Sequence, residues 1–170
     1  GDVYKRQVLA YAGNVYDPGD RSAGTGVDVI PARRSSGSVL KPILYAGMLD
    51  DGTALPTMLF PDVPTYYRDF TPHNYNRTFD GAVPADRVVE RSLNVPSVRM
   101  LDKYGKENFL ALVRALGFGT IDRSAAHYGL SLILGGAEIS LWDLTSAYMK
   151  LAAKLNGRQT IRTPHYDPDG

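Results

Sequence analysis

Ile30-Pro31-Ala32-Arg33-Arg34-Ser35-Ser36-Gly37-Ser38-Val39-Leu40-Lys41-Pro42 is the stretch that decides how this chain is read. It sets a serine and a lysine three positions apart at the head of an apolar run. A serine hydroxyl is too weak an acid to attack a carbonyl at neutral pH unless a base takes its proton. Side chains three apart on a helix share a face, so Lys41 could take the proton from Ser38. With ten serines and six lysines in 170 residues, Ser-x-x-Lys arises by chance roughly 0.35 times. The motif therefore needs support from the rest of the chain.

Outward from it, the spacing predicts a helix from near Ser38 to about Leu49, with Ile43, Leu44, Gly47 and Met48 as its buried stripe. Asp50-Asp51-Gly52 ends it, and Gly52 is the expected left-handed cap. Pro42 costs one early backbone hydrogen bond, which a first turn tolerates. Upstream, Val8-Leu9-Ala10-Tyr11-Ala12 reads as a short buried strand, and 15–37 as loop. Residues 53–84, dense in proline and tyrosine, read as an extended, surface-lying segment with short strands or turns.

Downstream, Ala85 to Ser92 reads as helix. Pro96 starts another in its first turn, ending at Gly105, and Leu93-Asn94-Val95 is the break between them. Phe109, Leu112, Val113 and Leu116 recur at helical spacing up to a Gly117 cap. Gly129 to Gly136 fits helix or strand. Ser140 caps a last helix with Leu141, Leu144, Tyr148, Leu151 and Leu155 along one face, stopped by Asn156-Gly157.

The bulk numbers narrow the function. A net charge of +1 argues against nucleic acid as the partner. With no cysteine, thiolate nucleophiles, disulfides and cysteine-rich zinc sites are excluded. His73, His127 and His165 are scattered without metal-ligand spacing, and no cofactor is expected. No apolar run approaches the roughly 20 residues of a membrane span. Residues 1–7 read as a non-native or truncated start, and 163–170 as a loop stopped in mid-course.

Fifty-one residues after Lys41, Ser92-Leu93-Asn94 falls at the helix break, where side chains can point into a cleft. Ser-x-x-Lys-Pro opening one helix and Ser-x-Asn between two others is the pattern of the penicillin-binding proteins and serine β-lactamases. Ile30 to Pro42 resembles the first-motif region of the class A penicillin-binding proteins. Val63-Pro64-Thr65-Tyr66, Asn74-Tyr75, Phe79-Asp80-Gly81 and Arg91-Ser92-Leu93-Asn94-Val95-Pro96 follow in the family's order. Leu130 to Ala137 is similar to a stretch typical of the 1C branch.

The resemblance implies an α/β (α+β) fold, an antiparallel sheet covered by helices, represented here mostly by the helical part. It implies that 8–170 is a partial transpeptidase domain. It implies D,D-transpeptidation of peptidoglycan stem peptides, with β-lactams as covalent inhibitors. Ser38 would be the nucleophile and Lys41 its base, with a pKa lowered by desolvation or a neighbouring cation. Ser92 would relay a proton to the leaving amine, Asn94 would hold Lys41 and the substrate amide, and the Ser38 N–H would be half of an oxyanion hole. It further implies a periplasmic site of action and a membrane anchor and glycosyltransferase domain upstream.

The chain departs from the family twice. Ser36 stands where the family has proline, and no Lys-Thr-Gly or Lys-Ser-Gly occurs anywhere. That third motif supplies the other oxyanion donor, so the 170 residues alone are expected to be inactive. Two other functions remain open on the sequence: a carboxypeptidase or β-lactamase-type hydrolase, and a non-catalytic β-lactam sensor or peptidoglycan-binding module.

Overall fold

The computed structural model describes residues 8, 10–15, 19, 26–67 and 70–157. The expectations for 1–7, Leu9 and 163–170 lie outside the described residues. The chain divides into two compact units, one of 35–113 with 121–138, the other of 1–34, 114–120 and 139–170. Strands β1 (Arg34–Ser35), β2 (Leu59–Asp62), β3 (Gly81–Pro84) and β4 (Glu138–Ile139) are short. Helices α1 (Lys41–Asp50), α2 (Ala85–Glu90), α3 (Asn94–Tyr104), α4 (Lys106–Leu116), α5 (Ala125–Tyr128) and α6 (Leu141–Leu155) carry far more of the described chain than the strands do. The mixed, mainly helical class is as expected.

In the first unit α3 is the hub. It packs against α1, β2 and the 3-10 helix Gly129–Leu134, and it buries Val95, Val98, Met100 and Leu101. Ile43, Leu44, Gly47 and Met48 are buried on α1, as the periodicity predicted. A Cβ on Gly47 would sit 2.6 Å from Leu112 Cδ2 and 2.8 Å from the Tyr104 hydroxyl, so the bare backbone lets α1 come close. Gly52 has φ +75° and caps α1.

The start of α1 is corrected. It begins at Lys41, and 37–40 form a turn, with Val39 N–H donating to Ser36 O at 3.2 Å and Lys41 N–H to Ser38 O at 3.1 Å. Pro42 is the reason: its ring would collide with the carbonyl four residues earlier, that of Ser38, so helix can extend only from the proline's own first turn.

Within 53–84, β2 and β3 form an antiparallel pair in register from Leu59↔Pro84 to Asp62↔Gly81. The segment is not wholly surface-lying: Tyr66 and Tyr75 are exposed, but Phe60, Asp62, Asn74 and Val83 are buried. The break before α3 is also corrected. Arg91 and Ser92 turn and Leu93 is extended, while Asn94 and Val95 already belong to the helix. Pro96 then falls in the first turn, where its missing N–H leaves no helical bond unmade. The ambiguous 129–136 stretch is a 3-10 helix closed by Gly135 at φ +102°, a form suited to one short piece.

In the second unit Ser140 Oγ accepts from Asp143 N–H at 3.0 Å, capping α6 as predicted, and Lys150 Nζ donates to Leu116 O. Trp142 N–H donates to Ile30 O at 3.3 Å. The leucine stripe is corrected: α6 buries Ser146, Ala147, Met149 and Ala153, whereas Leu141, Tyr148 and Leu155 are exposed. A helix buries the face its surroundings cover, and here that face carries Ser146, Ala147, Met149 and Ala153. Residues 10–12 are exposed and lie in no strand, which corrects the N-terminal expectation. A strand is defined by its ladder to a neighbour, and residues 10–12 belong to none among the described residues.

Candidate active site

Lys41 is the most unusual side chain of the first unit, a lysine only 2% exposed. Helix α1 buries its stem, and the turn before α3 meets its tip. Nζ donates to Ser92 O at 2.8 Å, to Ser92 Oγ at 3.2 Å and to Asn94 Oδ1 at 2.7 Å. Every ammonium proton therefore has an acceptor. No anion faces it among those contacts. Burial disfavours the charged form and lowers the Lys41 pKa from its ordinary 10.5 to about 8.

Ser92 reaches Lys41 because its backbone is left-handed, φ +52°, a region that non-glycine residues occupy at a cost. That conformation aims both its carbonyl and its hydroxyl at one ammonium. Asn94 is half-buried at the start of α3. Its Oδ1 faces Lys41 while its Nδ2 donates to His73 O at 2.8 Å. The flipped amide would oppose donor to donor and acceptor to acceptor, so this orientation is fixed. One Nδ2 proton is left over.

Ser38 is exposed at the turn that opens α1. Among the described residues no hydrogen bond joins its hydroxyl to Lys41 Nζ. The structure thus clusters three of the four sequence-predicted residues, Lys41, Ser92 and Asn94, and presents the fourth, Ser38, at the surface of the adjoining turn. Two features hold that turn. Ser35 Oγ donates to Gly135 O at 2.9 Å, and Ser36 N–H donates to Ala137 O at 2.8 Å. The family's proline could not make the second bond, so Ser36 adds a tie where proline would add stiffness. Its own hydroxyl is buried with no partner among the described residues.

Gly135 is part of the same clasp. A Cβ there would lie 3.1 Å from the Gly37 backbone. Sequence reasoning did not single out Gly135, nor Asn74, which caps α3 from a distance, nor Asp62, which accepts from the Asn74 amide. Asn74 appeared only within a family motif.

The site thus joins a surface serine on one turn to a buried lysine of lowered pKa on the next, with a second serine and an asparagine on its amine, the residue types that serine–lysine acyl transfer uses. Residues 2–156 match the family described as penicillin binding protein transpeptidase domain, and the chain belongs to that family. It is similar to penicillin-binding protein 1C of Escherichia coli, 39% identical over 146 residues, covering 86% of this chain and 19% of that protein. It is 32% identical to penicillin-binding protein 1F of Bacillus subtilis over 79% of this chain and 18% of that one. The fold is shared with the Mycobacterium tuberculosis PonA1 protein solved with penicillin V, at TM-score 0.66 and 21% identity over 75% of this chain and 37% of that one. The chain thus spans about a fifth of the length of the curated relatives it matches.

Proposed function

We propose that this chain is the nucleophile-bearing part of a serine D,D-transpeptidase that cross-links peptidoglycan stem peptides. Lys41 carries the reading. At pH 7 a lysine of pKa about 8 is neutral about a tenth of the time, against about one part in 3,000 at its ordinary pKa. Neutral Lys41 has two protons, which stay on Ser92 O and Asn94 Oδ1, since neither oxygen can donate. Its lone pair then takes the direction of the Ser92 Oγ contact, and acylation requires Ser38 Oγ to reach it there. Lys41 Nζ takes the Ser38 Oγ proton as Oγ bonds to the D-alanyl carbonyl carbon. The Ser38 N–H, which has no acceptor among the described residues, faces the developing oxyanion.

Collapse breaks the bond to the terminal D-alanine. Its amine receives the proton from Lys41 through Ser92, whose hydroxyl can both accept and donate. An amine of a second stem peptide then attacks the ester and returns the proton along the same path, leaving a peptide cross-link and free Ser38. A penicillin would acylate Ser38 in the same way and act as a covalent inhibitor. On this reading the full-length protein works on the periplasmic side of the bacterial inner membrane, held by an anchor upstream of this domain.

The test is labelling of the full-length protein with a fluorescent penicillin, together with stem-peptide dimerisation. Both should vanish in Ser38→Ala. Released D-alanine without dimer would make the protein a hydrolase, and labelling that persists in Ser38→Ala would remove the proposal. The isolated 170 residues, lacking Lys-Thr-Gly, should not label.

A further inference from the structure

Helix α3 begins without a cap of its own: Leu93 stands at the N-cap position and offers no side-chain acceptor. The acceptor comes from Asn74, a residue 3% exposed. Its Oδ1 accepts from Asn94 N–H at 3.0 Å and from Val95 N–H at 3.2 Å. Its Nδ2 donates to Asp62 Oδ1 at 2.7 Å and to Thr78 O at 2.9 Å. Both lone pairs and both protons of this one amide are used. Asp62, 0% exposed, spends its other oxygen on Asp80 N–H at 3.0 Å. The next carbonyl along from Asn74, that of His73, holds Asn94 Nδ2.

We infer that Asp62 and Asn74 are positioning residues for the proposed acylation: β2 fixes Asp62, Asp62 orients the Asn74 amide, and Asn74 sets Asn94 against Lys41. The inference rests on the transpeptidase reading. Loop 73–78 serves two ends of one residue, capping the Asn94 backbone and gripping its side chain. A merely structural cap would need only the first. Loss of the anchor frees the Asn94 side chain, and a displacement near 1 Å at a reacting centre lowers rates by about a hundred-fold.

The test exchanges the pair in the full-length protein: Asp62→Asn, Asn74→Asp, and both together. Each single swap sets like against like, donor on donor or carboxylate on carboxylate. The double swap restores one donor facing one acceptor and keeps an acceptor for the α3 amides, with Thr78 O its one mismatched contact. Moving the carboxylate toward Lys41 raises the lysine pKa, so rates are compared on the alkaline plateau and per penicillin-titratable site. The singles should be slowed by about a hundred-fold, and the double should regain about ten-fold or more over the slower single. Where the singles do not fold, the double decides: it must regain acylation per titratable site with Asn94 Oδ1 back on Lys41 Nζ.

Singles that melt early yet acylate at the wild-type rate per titratable site overturn it, because the pair then only stabilises. A double swap that fails to fold, or is as slow as the singles, also overturns it. Crystal structures of the same variants decide the case without chemistry. Asn94 Oδ1 should leave Lys41 Nζ in the singles and return in the double, and an unmoved Asn94 refutes the anchor. Failure of the transpeptidase reading is separate and shows as wild-type protein that does not label at Ser38.

Discussion

Asn94→Asp puts a carboxylate where an amide oxygen now lies 2.7 Å from Lys41 Nζ. Two unit charges at that distance attract by about 6 kcal/mol at an effective dielectric of about 20. The open side of the site and the cost of burying the new charge reduce this, and a carboxylate beside a cation commonly shifts a pKa by about 1–3 units. The direction is fixed: an anion favours the ammonium, so Lys41 rises from about 8 to about 9–11. The base is the neutral amine, so acylation is lost as pH falls through the Lys41 pKa. The wild-type acid limb should therefore lie near 8, and the variant limb should sit about 1–3 units higher. At pH 7 the variant is slowed by about ten- to a thousand-fold.

The assay is the second-order rate constant for acylation of the full-length protein by a fluorescent penicillin, measured across pH at constant ionic strength. The position of the limb is the readout, since Asn94 is also proposed to hold the substrate amide and the plateau would fall for that separate reason. A wild-type profile flat through pH 8, or an Asn94→Asp limb that does not move, would refute the argument that desolvated Lys41 is the base. A limb that moves down would mean that the new carboxylate does not face the lysine.

Ser36→Ala removes a buried hydroxyl that has no partner among the described residues, so it should raise stability by about 1 kcal/mol in a denaturant melt. A loss of that size would show that the hydroxyl is bonded after all. At Ser92, with φ +52°, glycine should be more stable than alanine by about 1 kcal/mol, reversing the usual order, while both variants lose acylation. Equal stabilities would mean that the left-handed turn is not retained. Gly135→Ala drives a Cβ to 2.7 Å from Ser35 Oγ and 3.1 Å from the Gly37 backbone at φ +102°. It should cost about 1–3 kcal/mol and slow acylation by loosening the Ser38 turn; a wild-type melt and rate would detach that turn from the 3-10 helix.

Where one local rule governed an element, the sequence was enough. The stripe of α1, the Gly52 cap and the Ser140 cap of α6 each depend on residues within a turn or two, and each is found as read. Helix α6 shows where that stops. Its leucines and the set Ser146, Met149 and Ala153 recur at equally good helical spacing on different faces, and periodicity says that a face is buried without saying which. The apolar run at 8–12 fails for a related reason, since a strand is defined by its neighbours and no ladder among the described residues includes it.

The site divides along the same line. Ser-x-x-Lys and Ser-x-Asn name the reacting groups because their spacing is local chemistry. What lowers the lysine pKa is its burial, and burial is set by the α1–α3 packing that no motif states. The cap of α3 comes from Asn74, twenty residues upstream. Leu93 at the N-cap was nonetheless a visible clue. A helix that opens on Leu-Asn-Val-Pro brings no acceptor for its first amides, so a buried acceptor must come from elsewhere in the chain. An asparagine is the residue best suited to supply it, because its oxygen can cap the helix while its NH2 is tied to a second anchor. A helix start that lacks its own cap therefore points to a remote side chain, and here that side chain stands directly behind the proposed catalytic asparagine.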